Sequence, residues 1–76
     1  MRELDIHGMT EMEAKTTIER FIASCPKDIK EIVIIHGYHS GSVLKSLVRD
    51  KNKIRSKRIK RRKFTMNQGE TIIELF

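Results

Sequence analysis

The sequence predicts a two-layer α/β sandwich with the element order β-α-β-α-β-β. Two observations carry that reading. The runs "LDIHG" (4–8) and "VIIHG" (33–37) end on the same dipeptide, and each is followed by apolar residues at helical spacing. Near the end, "NQG" (67–69) separates two strand-like runs as a hairpin turn would.

The elements follow in order. In "RELDIHG", Leu4 and Ile6 fall on one side and Glu3, Asp5 and His7 on the other, as in a half-buried strand. Thr10-x-x-Glu13 matches a capping box that opens a helix. Ala14, Ile18, Phe21 and Ile22 form its buried stripe, and Pro26 ends it. "EIVIIHG" is apolar on both faces, which suits a central strand. After the "YHSGS" bend, Val43, Leu44, Leu47 and Val48 make a second helical stripe. "RIKRRKFTM" and "ETIIELF" are the hairpin strands, with Thr71, Ile73 and Leu75 on one face. The Asn and Gly of the turn suit the positive φ of tight hairpins.

Seventy-six residues make one domain, 1–76, with a single core and no room for an enclosed cavity. Any chemistry therefore belongs on an open face or at the ends of elements. The lone Cys25 has no disulfide partner and no metal-type spacing, which fits a reducing compartment and a structural thiol. The longest aliphatic run, "IVII", is too short for a membrane span or a signal-peptide core, so a cytoplasmic location is expected.

Charge is unevenly placed. Residues 1–50 carry a net charge of −1, and residues 51–76 carry +7, within a total of +6. The excess sits in "KNKIRSKRIKRRK" (51–63), which contains no acid. Such a block suits a polyanion, so nucleic acid is the expected partner; the competing reading is a solvated face. Strand alternation sends Arg58, Lys60 and Arg62 to one face and Lys57, Arg61 and Lys63 to the other. With Phe64 and Met66 marking the helix-covered side, Arg61 and Lys63 face outward and become candidate phosphate contacts. The alternative is an edge strand charged to prevent aggregation.

A strand–helix–strand unit makes its two strands parallel, so both His-Gly turns end at one edge of the sheet, where open α/β sheets bind ligands. This places His7 and His36 at a common mouth, with Asp5 one strand step behind His7. The second turn leads into a helix N-terminus, whose free N–H groups suit a phosphate.

These features resemble the small MutS-related (Smr) domain family. The likeness rests on "LDIHGMTEMEA", "IVIIHGYHSGSVLKSLV" and "NQGETIIEL", three motifs in order from Leu4 to Leu75. One departure is His39, which stands where the family carries the middle glycine, between Gly37 and Gly41. The resemblance implies a mixed four-stranded sheet with two helices on one face, similar to the C-terminal domain of translation initiation factor three. It also implies an endonuclease or nicking nuclease acting on RNA or DNA, with Asp5, His7, His36, Gly37 and Gly41 tied to activity.

In the chemical reading, His7 is a general acid or base, and Asp5, about 6.6 Å away at roughly 3.3 Å per residue, orients it. His36 is the second proton-transfer group; the competing reading is a hydrogen-bonded histidine at the core edge. Tyr38 stacks on a base or covers the sheet edge, and Gly37, Tyr38, His39 and Gly41 form the phosphate loop. His36-x-x-His39 with His7 lacks a fourth zinc ligand, so no resident cofactor is expected, although a divalent ion such as magnesium is compatible. No Walker or dinucleotide fingerprint is present. The competing function is a non-catalytic RNA- or DNA-binding module, ribosome-associated in one version. A third is a protein-interaction domain. Oligomeric state is not encoded in any feature of the chain.

Overall fold

A computed structural model describes residues 2–38 and 41–76. The elements run β1 (Arg2–Asp5), α1 (Glu11–Ser24), β2 (Glu31–Ile35), α2 (Gly41–Arg49), β3 (Ile59–Phe64) and β4 (Glu70–Leu75). They form one mixed sheet in the order β1-β2-β4-β3. β1 and β2 are parallel, with Asp5 paired to Ile35. The β2–β4 and β3–β4 pairs are antiparallel. Both helices cover one face, and the predicted α/β sandwich is what the chain forms.

Local chemistry explains the helix ends. The Thr10 hydroxyl accepts from Glu13 N–H at 3.2 Å, and the Glu13 carboxylate accepts from Thr10 N–H at 2.9 Å. Together they satisfy two N–H groups that the first turn of α1 leaves free. At the other end, Cys25 is forced out of helical conformation (φ −70, ψ 129) by Pro26 behind it. Ala14, Ile18 and Ile22 are the buried stripe of α1.

Beneath the helices, Ile6, Ile32, Ile34, Ile73 and Leu75 supply the sheet side of the core, and Leu44, Leu47 and Val48 supply α2. Each fully buried aliphatic side chain contributes about 1.5–3 kcal/mol. Val43, expected in the α2 stripe, is instead 53 % exposed. The stripe needs only the residues at i, i+3 and i+4 (Leu44, Leu47, Val48), and Val43 falls one step outside it. Ile54 inside the basic run is fully buried. It fills the gap below the end of α2, a core role that its charged surroundings conceal.

The basic strand departs from simple alternation. A register shift lies between Ile59 and Arg61. A bulge inserts one residue and resets which side chains face each way. Lys60 therefore joins Arg61 on the uncovered face, and both approach Glu74, at 3.7 and 2.8 Å. Ile59 packs against the core, and Arg62 turns inward. Phe64 and Met66 are 62 % and 99 % exposed, so neither is covered by a helix as the pattern suggested. Phe64 lies beyond the helix edge, with the Arg49 guanidinium 4.1 Å above its ring.

Two arginines of the basic run hold the fold. Arg62 donates to the carbonyls of Val48 (2.6 Å), Ile54 (3.0 Å) and Asp50 (3.5 Å), which closes the C-terminal end of α2. Arg58 donates to the carbonyls of Cys25, Pro26 and Ile29 after α1. Charge-assisted bonds of this kind contribute about 1.5–3 kcal/mol each at best and leave orphaned carbonyls when removed. Arg62→Ala is expected to lower stability by about 2–3 kcal/mol, against no more than about 0.5 kcal/mol for Lys60→Ala on the surface. Urea unfolding midpoints of the two variants measure the contrast.

Candidate functional site

The two His-Gly dipeptides solve the same backbone problem. β1 and β2 reach the same sheet edge and must turn away from it. Gly8 (φ 81) and Gly37 (φ 82) do so, and they are the positive-φ residues among those described. Only glycine enters that region cheaply. At Gly37 there is a second constraint, because a Cβ built there would lie 3.3 Å from His7 Cβ. At Gly8 nothing lies within 4 Å of such an atom. The second turn therefore packs directly on the first.

The parallel register decides where the histidines go. Asp5 pairs with Ile35, so one step further His36 comes opposite Ile6, and His7 comes opposite Gly37. Ile6 and His36 both face the helices and are fully buried. His7 faces away, with a side chain 70 % exposed. The two imidazoles expected side by side thus lie on opposite sides of the sheet edge.

Asp5 and His7 do come together. The Asp5 carboxylate accepts from the His7 backbone N–H at 3.0 Å and meets its Nδ1 at 2.5 Å. The chain turns after Asp5, so the pair closes a tight local ring instead of lying 6.6 Å apart along a strand. The His7 side-chain bond, more than any other influence, holds the Asp5 carboxyl below its ordinary range. An ionised Asp5 keeps the proton on Nδ1 and leaves Nε2 to solvent.

His36 is the first correction to the expected catalytic set. Its ring is 0 % exposed and cannot touch a substrate at this mouth. Nδ1 lies 3.3 Å from the Gly37 carbonyl, which can only accept, so Nδ1 carries the proton. Nε2 then accepts from the Thr71 hydroxyl at 3.0 Å, and that hydroxyl accepts from Arg49 Nε at 2.9 Å. Burial, as the main cause, pushes His36 below its ordinary value of 6.5, and the Arg49 and Lys45 charges add to the shift. His36 is a neutral strut that ties the second turn to β4 and α2.

Arg49 and Thr71 were missed as members of this group. The signal was available for Thr71, a polar residue on the buried face of Ile73 and Leu75, since buried hydroxyls need partners.

The hairpin turn is the second correction. Neither Asn67 nor Gly69 takes a positive φ. Asn67 acts through its side chain, whose Oδ1 accepts from Gly69 N–H at 2.9 Å and from the Tyr38 hydroxyl at 2.6 Å. A Cβ at 69 would lie 3.0 Å from the Tyr38 ring, so any larger residue there makes the ring give way. The Gly69 carbonyl accepts from both His36 N–H (2.9 Å) and Gly37 N–H (3.0 Å). Those N–H groups are therefore engaged, not offered to an anion. Tyr38 covers the turn yet stays 68 % exposed.

Gly41 opens α2, whose first turn leaves N–H groups without helical partners. His39 lies outside the described residues. Arg61 and Lys63 face the uncovered side as expected, but both are in ion pairs. Arg61 binds Glu74 at 2.8 Å, and Lys63 binds Glu31 and lies 3.4 Å from Glu74. The Arg61 bond chiefly holds Glu74 below its ordinary value, and the Glu31 bond chiefly raises Lys63. Among the described residues, no three His, Cys, Asp or Glu side chains gather as metal ligands.

The comparisons agree with this architecture. The sequence profile of the Smr domain matches residues 4–75, and the chain belongs to that family. Among solved structures, the Smr domain of Thermus thermophilus MutS2 superposes with a TM-score of 0.75. It is 20 % identical, and the alignment covers 100 % of this chain and 99 % of that one, which establishes a shared fold. A comparison with curated protein sequences finds no match. No helix among the described residues is long and apolar enough to cross a membrane.

Two outcomes are expected. Gly37→Ala should cost about 2–3 kcal/mol and Gly8→Ala about 1 kcal/mol, because both pay the left-handed penalty and only the first also crowds His7. Denaturant titration of the two variants reads the difference. His36 titrates lower in the folded chain than unfolded, so the unfolded chain gains the proton first on acidification. Its neutral-state stabilisation is present above about pH 6.5 and falls away below it. The unfolding midpoint should drop from about pH 7.5 to about pH 5.5, and drop less in His36→Gln.

Proposed function

We propose that this domain cleaves or nicks nucleic acid at the Asp5–His7 pair, and that RNA is cut in preference to DNA. The observation that carries the reading is the exposed imidazole fixed by an ionised carboxylate at the sheet edge. α2 begins at Gly41 after the second His-Gly turn, and the first-turn N–H groups of a helix suit a phosphate. Membership of the Smr domain family supports the same class of partner.

In this reading His7 Nε2 takes the proton of an RNA 2′-hydroxyl as that oxygen attacks the neighbouring phosphorus. The phosphorus–5′-oxygen bond breaks, and the leaving 5′-oxygen takes a proton from solvent, which reaches this open mouth freely. Asp5 fixes the ring and stabilises its cation. DNA lacks the internal nucleophile, and activating water with metals calls for converging carboxylates that the mouth does not present. Because His36 is buried and neutral, one imidazole is left to transfer protons in turnover. The pH–rate profile then has a single rising limb and a plateau, not the bell that two accessible histidines would produce.

The buried His36 also favours a second reading, a non-catalytic RNA- or DNA-binding module that retains the frame of a nuclease. One experiment separates them. Purified chain is incubated with structured RNA and with plasmid DNA, with and without magnesium or a chelator. Cleavage of RNA that leaves a cyclic or simple 3′-phosphate is expected, with losses of at least about 100-fold in His7→Ala and Asp5→Asn and retained binding. Products ending in a 3′-hydroxyl, or nicking strictly dependent on magnesium, would overturn the mechanism. Binding without any cleavage would establish the second reading.

A further inference from the structure

The basic run divides into three groups. Arg58 and Arg62 are spent on backbone carbonyls, and Lys60, Arg61 and Lys63 are matched by Glu74 and Glu31. The third group is Lys51, Lys53, Arg55 and Lys57, all exposed, with no carboxylate within 4.0 Å among the described residues; Arg55 also donates to the Asn52 carbonyl at 3.3 Å. Lys51, Arg55 and Lys57 line one open concavity at the Ile59 end of β3, together with the partnered Lys60, Arg61 and Arg62. The uncompensated charge of the basic run is therefore not on the uncovered sheet face. It lies along the β3 edge, behind the end of α2.

At the other end of the same edge, Phe64 is 62 % exposed and carries the Arg49 guanidinium 4.1 Å above one face. Most of the side chain remains exposed beside that contact. From Ile59 to Phe64 the edge spans about 17 Å at roughly 3.3 Å per residue. A cationic groove that ends on an aromatic platform is the recognition chemistry of a single strand, with its phosphates on the charges and an unpaired base on the ring.

We propose that single-stranded nucleic acid docks along the β3 edge, with its backbone on Lys51, Arg55 and Lys57 and a base stacked on Phe64. The paired cations Arg61 and Lys63 on the open face are bystanders. This rests on the reading of the domain as a nucleic-acid protein but not on its cleaving anything. The strand enters the mouth from the hairpin side, past Tyr38, whose exposed ring offers a second stacking surface.

The test is fluorescence anisotropy with a labelled single-stranded RNA of about 12 nucleotides, and a duplex of equal length, from about 50 to about 200 mM salt. The variants are Lys51→Gln/Arg55→Gln/Lys57→Gln, Arg61→Gln/Lys63→Gln and Phe64→Leu, each checked for folding by circular dichroism. The triple variant should lose at least about 10-fold in affinity and flatten the single-strand salt slope by about 2. Phe64→Leu should lose at least about 5-fold with the slope unchanged, and the open-face pair should lose less than about 3-fold. Single strand should bind more tightly than duplex. A larger loss in Arg61→Gln/Lys63→Gln than in the triple variant, or an unaltered slope in the triple variant, would place the backbone on the open face and overturn the proposal. An unchanged affinity in Phe64→Leu, or tighter duplex binding, would overturn the single-strand assignment. If the wild-type chain binds no RNA, the nucleic-acid reading falls with it. If it binds through this edge and cuts nothing, only the cleavage proposal falls.

Discussion

The parallel register between β1 and β2 is the constraint on which the site depends. Because Asp5 pairs with Ile35, both strands leave the sheet at one edge, and both need a left-handed residue in the same place. The register also fixes which way each histidine faces. Side chains alternate, so a residue opposite Ile6 must share its burial and a residue opposite Gly37 must not. His36 and His7 have the same dipeptide context and opposite fates for that reason alone. A one-residue slip of β2 against β1 would turn His36 outward and expel Ile32 and Ile34 from the core.

The buried His36 ties the elements of the mouth together. Its ring links the Gly37 carbonyl to Thr71, and Thr71 links onward to Arg49. Arg49 then stacks on Phe64. Gly69 joins the same assembly from the hairpin, with one carbonyl holding two N–H groups of the second turn. Because Gly37 in turn presses on His7, the exposed pair is held through packing by an assembly whose centre, His36 and Thr71, is fully buried. A histidine can do this only while neutral, which is why burial and an added positive charge from Arg49 act in the same direction on its protonation.

Most of the architecture was legible because each element announced itself locally. Thr10 and Glu13 cap α1, Pro26 stops it, and the even spacing of Thr71, Ile73 and Leu75 faces β4 inward. The failures share a cause: side-chain fate there was set by a neighbour on another element. A bulge at Ile59–Arg61 cannot be read from a run of lysines and arginines, and alternation counted through it misplaces Lys60. Asn67 and Gly69 match a hairpin turn by type, yet the glycine answers to the Tyr38 ring and not to its own φ. Ile54 looks like an interruption in a charged tract, but it is a core residue. Of the candidate site, Asp5 and His7 were legible since their contact spans two residues. The roles of His36, Arg61 and Lys63 depended on Thr71, Glu74 and Glu31, which are distant in sequence.

Charge counted along a chain and charge available to a ligand are different quantities, and this small domain separates them clearly. A guanidinium bonded to three carbonyls has exchanged its hydration for fixed partners, and an ammonium beside two carboxylates presents little field beyond a Debye length of about 8–10 Å. What attracts a polyanion is the remainder. Here the remainder is displaced from the uncovered sheet face to the edge, because β3 lies beside β4, whose Glu74 is in reach of Lys60, Arg61 and Lys63, while the 51–57 segment has no acidic strand beside it. The sheet order thus does more than place a hairpin. It neutralises one face and leaves the other end of the same basic run to act at a distance, so the fold itself selects which of its cations a ligand can feel.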